Sequence, residues 1–291
     1  MAQTQRLSSI ANEAGQGMSN SPFVLPLGDP RCREVRLSGG KGGSLATMME
    51  QGLPVPPGFV ITSAAFLAEV DEGRLRSLCC GGNIAGAREI VAAARPPAAL
   101  IADHYALIRG PVAVRSSACA EDSEGASYAG QQESYLNVDG LPAVLSKIVE
   151  CWLSFFADRA VFYRAEKGSL DDVAIAVIVQ KMIDSKKSGV LFTVDPVQGR
   201  KDRMVVEAAF GLGENVVDGR QTPDHYVLDR RGTLKLSRIV GKQVLDEKEL
   251  KQLADLGRKL EEIRGCPQDI EWAFDQYGKL SLLQSRPITT I

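Results

Sequence analysis

The end of the chain constrains the fold most. Residues 269–286 read DIEWAFDQYGKLSLLQSR. Ile270, Trp272 and Phe274 alternate with Asp269, Glu271 and Ala273, the period of two that a strand with one apolar face requires. Gln276-Tyr277-Gly278 is turn-like, and in the run after it Gln284 and Arg286 share a face. Two such runs joined by a short turn read as an antiparallel hairpin. If residues 276–279 form the loop, Asp275 pairs with Leu280. Glu271 then lies opposite Gln284, and Asp269 opposite Arg286. A carboxylate beside an amide oxygen offers hard oxygen ligands for Mg²⁺ held jointly with nucleotide phosphates, with Asp269 or Arg286 orienting the cluster. The same four residues on a solvated face would be a cross-strand salt bridge and nothing more.

The texture upstream divides the chain. SGVLFTVD, RMVVEAAF, DHYVLD and TLKLSRIV are short strand candidates, mostly separated by the turn-prone GRKD, DGRQTPD and DRRG. A helix over 246–264 precedes the hairpin. Nearer the N-terminus, LSGGKGGSLATMMEQGLPVPPGF (37–59) reads as a turn, a short helix and a stop. Gly52 suits a left-handed C-cap, and three prolines forbid continuation. Thr62 or Ser63 caps a second helix through Ala64–Val70, and helical stretches follow at 84–94 and 97–109. PVAVRSS (111–117) and ESYLNV (133–138) are strands flanking the small-residue run EGASYAGQQ (124–132). One long helix covers 141–166, and DDVAIAVIVQKMI (171–183) has the β-branched run of a buried strand. We expect a flexible arm over 1–22, a mixed first lobe over 23–170 and a strand-rich second lobe over 171–291. The fold class is α+β, with a ligand cleft between the lobes.

Charge and composition narrow the partners. A net charge of −2 gives no general footprint for nucleic acid or an anionic membrane. No apolar run approaches the ~20 residues of a membrane-spanning helix. The first 22 residues lack the apolar core of a signal peptide. The six cysteines contain no CxxC pair, the pattern of reduced thiols in a cytoplasmic protein. An anionic ligand would have to be caught by a local cluster of donors.

Lys41 follows Gly39-Gly40 and precedes a helix, whose N-terminus supplies free N–H groups to a phosphate. The Walker pattern fails, because Val35 stands where its first Gly belongs. A Gly-rich turn with a solvated Lys fits equally well. Arg115, at the end of VAVR beside two serines, points into a cleft as a fork for phosphate oxygens or pairs with Glu121 or Asp122 on the surface. GLGEN (211–215) lacks the third Gly of a dinucleotide fingerprint, and a turn after a buried strand explains it better. Glu207 and Glu214 flank that turn.

Taken in order, GGKGGSLATMMEQGLPVPPGFVIT, VAVRSSACAEDSEGASYAGQQESYLNV, VIVQKMI, SGVLFTVDP, EAAFGLGE, TPDHYVL and DIEWAF…LLQSRPIT resemble the N-terminal nucleotide-binding domain of phosphoenolpyruvate synthase. Pyruvate phosphate dikinase and rifampin phosphotransferase share this ATP-grasp-like domain. The resemblance covers roughly residues 24–290. It implies two lobes with ATP and Mg²⁺ between them. Lys41 and Arg115 would grip the phosphates, Arg286 would face them, and Glu271 and Gln284 would hold the metal. Gly125, Ala126, Ser127, Ala129 and Gly130 would belong to a loop closing over the phosphates. Gln180, Lys181 and Met182 would line the adenine edge, Glu207 would lie near the ribose, and Thr62 would touch the nucleotide. The implied activity is phosphorylation of a histidine on a separate swivel domain or subunit. Onward transfer to pyruvate or another small-molecule acceptor, bound by another domain, would yield AMP and phosphate.

Neither His104 nor His225 sits in a phosphohistidine motif, and both read as structural. The chain stops after QSRPIT, where the family's first domain ends, so it is expected to be a lone ATP-binding module. It would be a natural subunit, as in phenylphosphate synthase, or part of a longer enzyme. The alternatives are a nucleotide-binding regulatory module without transfer and an ATP-grasp carboxylate ligase.

Overall fold

The computed structural model describes residues 21–119, 133–166, 172–213 and 221–289. Nearly all of the expected N-terminal arm and the whole run Gly125–Gly130 lie outside these residues, as does Glu214.

The fold begins with β1 (Val24–Pro26), a 3₁₀ turn at Pro30–Arg33 and α1 (Val35–Glu50). Within α1, Gly39 has φ 73° and ψ 172°, so the regular helix starts after it. Its other end closes on Gly52 at φ 68°, with Gly52 N–H donating to Met49 and Leu53 N–H to Met48. This double contact is the Gly-based stop expected from sequence. Next come β2 (Gly58–Ile61) and four helices: α2 (Ser63–Glu69), α3 (Glu72–Cys80), α4 (Ile84–Ala93) and α5 (Ala98–Ile108). Then follow β3 (Val112–Ala118), β4 (Ser134–Val138), α6 (Leu141–Ser154), α7 (Asp158–Glu166) and β5 (Ile175–Lys181). The remainder is β6 (Ser185–Phe192), β7 (Arg203–Phe210), β8 (Asp224–Asp229), β9 (Leu234–Arg238), α8 (Glu247–Arg264), β10 (Gln268–Asp275) and β11 (Leu280–Pro287).

Two antiparallel sheets result, in the orders β1-β2-β5-β3-β4 and β11-β10-β6-β7-β8-β9. One core lies between α2–α6 and one face of the first sheet, including Phe66, Val114, Trp152 and Val177. The other core joins Leu45 and Met48 of α1 and Ile178 of the first sheet to Trp272, Tyr226 and Leu253 of the second sheet and α8. Apolar side chains from both sheets are thus shared in that core, and burial of this kind supplies most of the favourable folding energy. The architecture is α+β, as expected, with two antiparallel sheets and helices packed on both.

Four readings change. The strand at 175–181, expected in the second lobe, lies between β2 and β3 in the first sheet, and the chain crosses to the second sheet after Lys181. Its two faces enter the two different cores, which explains its unbroken apolar run. The single helix expected over 141–166 is two. Ser154 Oγ donates to the Cys151 carbonyl at 2.7 Å and Arg164 Nη2 to the Phe155 carbonyl at 3.0 Å, so side chains take acceptors that a continuous helix would use. Helix α3 had no counterpart in the sequence reading; Asp71 caps it by accepting from Arg74 N–H. Finally, the hairpin starts one residue out of the expected register, with Phe274, not Asp275, opposite Leu280. A β-bulge at Leu283 restores it, so Glu271 does face Gln284 and Asp269 does face Arg286.

Candidate functional site

The seam between the two sheets gathers the polar residues singled out above. From the first sheet, β3 projects Arg115, whose side chain is only 11% exposed. Its guanidinium reaches across to the second sheet. Nη2 donates to Gln284 Oε1 at 2.7 Å and Glu271 Oε2 at 3.1 Å, and Nη1 donates to the Leu283 carbonyl at 2.9 Å. The bulge supplies that carbonyl, because a bulged residue falls out of the pairing ladder. The expected alternative, an ion pair with Glu121 or Asp122, falls outside the described residues, and Glu271 takes the pairing role here. Arg115 Nε is buried without a hydrogen-bond partner among the described residues.

Lys41 stands in the first turn after the Gly39 kink and its Nζ donates to the Ser116 carbonyl at 3.2 Å. Gly42 N–H donates to Ser117 Oγ at 3.2 Å, and Ser44 Oγ donates to the Ser285 carbonyl at 2.7 Å. The helix start is therefore held against β3 on one side and β11 on the other. Close approach requires glycine: a Cβ on Gly39 would lie 2.2 Å from the Ser117 carbonyl oxygen. Sequence reasoning named Lys41 and Arg115 but missed that Ser116 and Ser117 form the surface on which the glycine turn rests. The paired serines after VAVR were the available signal.

Opposite, Arg286 lies over Asp269, with Nε and Nη2 both 2.7 Å from Oδ2. Burial pushes the Asp269 carboxyl above its ordinary value; Arg286 opposes this, while Glu271 and Glu207 add to it. Three carboxylates therefore feel one another across this face. Glu207 is about one-third exposed on β7, with Oε1 3.7 Å from His225 Nδ1. His104 is buried in α5, tilted against Phe59 at 5.5 Å, with Nδ1 2.8 Å from the Leu100 carbonyl.

The remaining expectations fare differently. Gln180 is buried at the end of β5, its Nε2 donating to the Pro56 carbonyl at 3.2 Å. The N–H groups of Lys181 and Met182 already donate to the carbonyls of Pro57 and Pro111, so these two donors do not face a base. Thr62 is a helix cap: its hydroxyl donates to the Pro22 carbonyl at 2.6 Å and accepts from Ala65 N–H. That fully buried hydroxyl is spent inside the fold and is not part of the cluster.

The donor set suits a hard divalent cation. Glu271 Oε2 and Gln284 Oε1 converge on one point, now taken by a cationic nitrogen. A carboxylate and an amide oxygen, completed by phosphate and water, match what Mg²⁺ accepts. Among the described residues no group of three or more His, Cys, Asp or Glu side chains is arranged to hold a metal. A metal at this point would need ligands from a nucleotide and water.

Known proteins are similar in sequence to this chain over most of its length. The family described as pyruvate phosphate dikinase, AMP/ATP-binding domain, matches residues 35–79, 88–243 and 235–291. A probable phosphoenolpyruvate synthase of Archaeoglobus fulgidus is 40% identical over 92% of this chain and 42% of its own length. One from Methanocaldococcus jannaschii is 36% identical over 97% of this chain and 28% of its own. The rifampicin phosphotransferase of Bacillus cereus is 35% identical over 93% of this chain and 36% of its own. The chain thus spans less than half the length of these relatives. Among the described residues, no helix is long and apolar enough to cross a membrane.

Proposed function

Because the chain belongs to the pyruvate phosphate dikinase AMP/ATP-binding domain family, we propose that it binds MgATP in the seam between its sheets and phosphorylates a histidine on a separate swivel domain or subunit. That histidine passes one phosphoryl group to pyruvate or another small-molecule acceptor bound elsewhere, and transfer of the other phosphoryl group to water accounts for AMP and phosphate as the products. The observation that carries this reading is the Arg115 side chain, which leaves one sheet to meet Glu271 and Gln284 of the other beside Lys41.

Catalysis here is positioning and charge neutralisation. Lys41, at a helix start, and the Arg115 fork hold phosphate oxygens, and Arg286 faces them from β11. Glu271 and Gln284 would hold Mg²⁺, which when bound would neutralise charge on the phosphates. Gln180, Lys181 and Met182 bound the adenine end, through groups other than the Lys181 and Met182 N–H donors. Glu207 meets the ribose. The accepting nitrogen comes from the partner's histidine.

The test mixes the protein with labelled ATP and the phosphohistidine domain of a relative. Label on the partner's histidine is the expected result. Tight ATP binding with no transfer replaces this reading with a nucleotide-binding module that does not transfer. ADP formed by the chain alone from a carboxylic acid and an amine replaces it with a ligase.

A further inference from the structure

One line of residues crosses the whole second sheet. Strand pairing places Gln284 opposite Glu271, Glu271 opposite Val190, Val190 opposite Glu207, Glu207 opposite His225, and His225 opposite Arg238. Directly opposed residues project from the same face, so all six point to one side. The other side carries Trp272, Leu191, Val206 and Tyr226 into the core. The line is therefore a polar track on the side that Arg115 approaches.

The track has a scale. Neighbouring strands lie about 4.8 Å apart, so Glu207 stands about 10 Å from Glu271. Only the small, apolar Val190 lies between them. An extended nucleotide whose phosphates sit at Glu271 and Gln284 brings its sugar, not its base, to Glu207. His225 is one strand further on, its Nδ1 3.7 Å from Glu207 Oε1, with both side chains about one-third exposed. A small rotation of either closes that gap to hydrogen-bond distance. Arg238 is next in line, opposite His225.

We infer that His225 is a positioning residue for Glu207: it fixes the carboxylate that accepts the ribose hydroxyls, and so sets the preference for ribonucleotide over deoxynucleotide. This rests on the nucleotide reading above. A carboxylate swings freely about its last bonds; a ring N–H on one oxygen leaves the other aimed at the sugar. A site built to accept a hydroxyl's proton rejects the analogue lacking it, because the carboxylate then loses a partner. His225 touches no nucleotide atom in this arrangement.

The experiment measures equilibrium binding of ATP and of its 2′-deoxy and 3′-deoxy forms, with Mg²⁺, to wild type, Glu207→Gln, His225→Ala and His225→Gln. Wild type should prefer ATP to at least one deoxy form by roughly tenfold, the size of one hydrogen bond to a charged group. His225→Ala should lower that ratio several-fold by weakening ATP alone, and His225→Gln, which keeps a donor, should restore most of it. Equal weakening of ATP and deoxy forms, or an unchanged ratio, overturns the role of His225 while leaving Glu207 in place. No preference in wild type together with a neutral Glu207→Gln overturns the ribose contact on which the inference stands. Absence of ATP binding overturns the nucleotide reading itself.

Discussion

Arg115 Nη2 and Gln284 Oε1 lie 2.7 Å apart although they stand on different sheets, 169 residues apart in the chain. The same guanidinium also holds Glu271 and the bulge carbonyl of Leu283. Arg115→Ala should therefore weaken MgATP binding by about 2–4 kcal/mol, the cost of removing a buried charged donor. Arg115→Lys should recover little, since one ammonium cannot match a fork that spans three acceptors. Calorimetric titration checks both, and a melting curve separates lost binding from lost folding. Wild-type affinity in Arg115→Ala would move the phosphate site elsewhere.

The C-terminal hairpin shows what could be read from sequence. Counting outward from a four-residue loop placed Glu271 opposite Gln284, and the structure has that pair. It gets there by two compensating steps: Phe274 takes the position assigned to Asp275, and the bulge at Leu283 shifts the register back. Alternation fixes which face a residue occupies, but it does not show a bulge until the partner strand is known. The Leu283 carbonyl was invisible for that reason. Lys41, Arg115, Glu271 and Gln284 each fit a surface role as well as a ligand role in sequence; the structure brings Arg115 to Glu271 and Gln284 across two sheets, which no single local pattern shows. The sheet membership of β5 was not legible, because a strand buried on both faces looks the same in either sheet. Thr62 was legible as a helix cap, and the structure has that cap, with its hydroxyl accepting from Ala65 N–H.

The glycine turn before Lys41 makes a second prediction. Gly39 has φ 73° and ψ 172°, a region open essentially to glycine alone. Gly39→Ala should cost at least ~1–3 kcal/mol from the backbone. The clash with Ser117 should also push the helix start off β3 and weaken nucleotide binding. Gly52 is the control: its φ is 68°, but a Cβ there meets nothing within 4 Å. Gly52→Ala should lower the Tm while leaving ATP affinity unchanged. If both variants behave alike, the Gly39 turn has no special link to the site.

A third prediction concerns stability away from the seam. Buried Asp224 accepts from Val240 N–H at 2.7 Å, Val244 N–H at 2.8 Å and Tyr226 Oη at 2.9 Å. It clamps the segment leading from β9 to α8. Burial pushes the Tyr226 hydroxyl up to about 12, so it remains a donor at any ordinary pH. Asp224→Ala would strand three donors and should destabilise the fold by roughly 3 kcal/mol. Chemical denaturation measures this. A change under about 0.5 kcal/mol, the range of ordinary surface substitutions, would show that the clamp is dispensable.

The last prediction separates metal binding from phosphate binding. Glu271 contributes the carboxylate of the proposed Mg²⁺ site, and it also restrains Arg115 through a 3.1 Å ion pair. Glu271→Gln keeps the shape and removes the charge. ATP affinity measured with Mg²⁺ should fall about tenfold, since a neutral oxygen is a poorer ligand for a hard cation. ATP affinity measured in a chelator should stay level or rise, because Arg115 is released toward the phosphates. A metal role and an Arg115-anchoring role thus push the two measurements in different directions. Equal losses with and without Mg²⁺ would exclude Glu271 as a metal ligand, and the metal would have to be held by other residues.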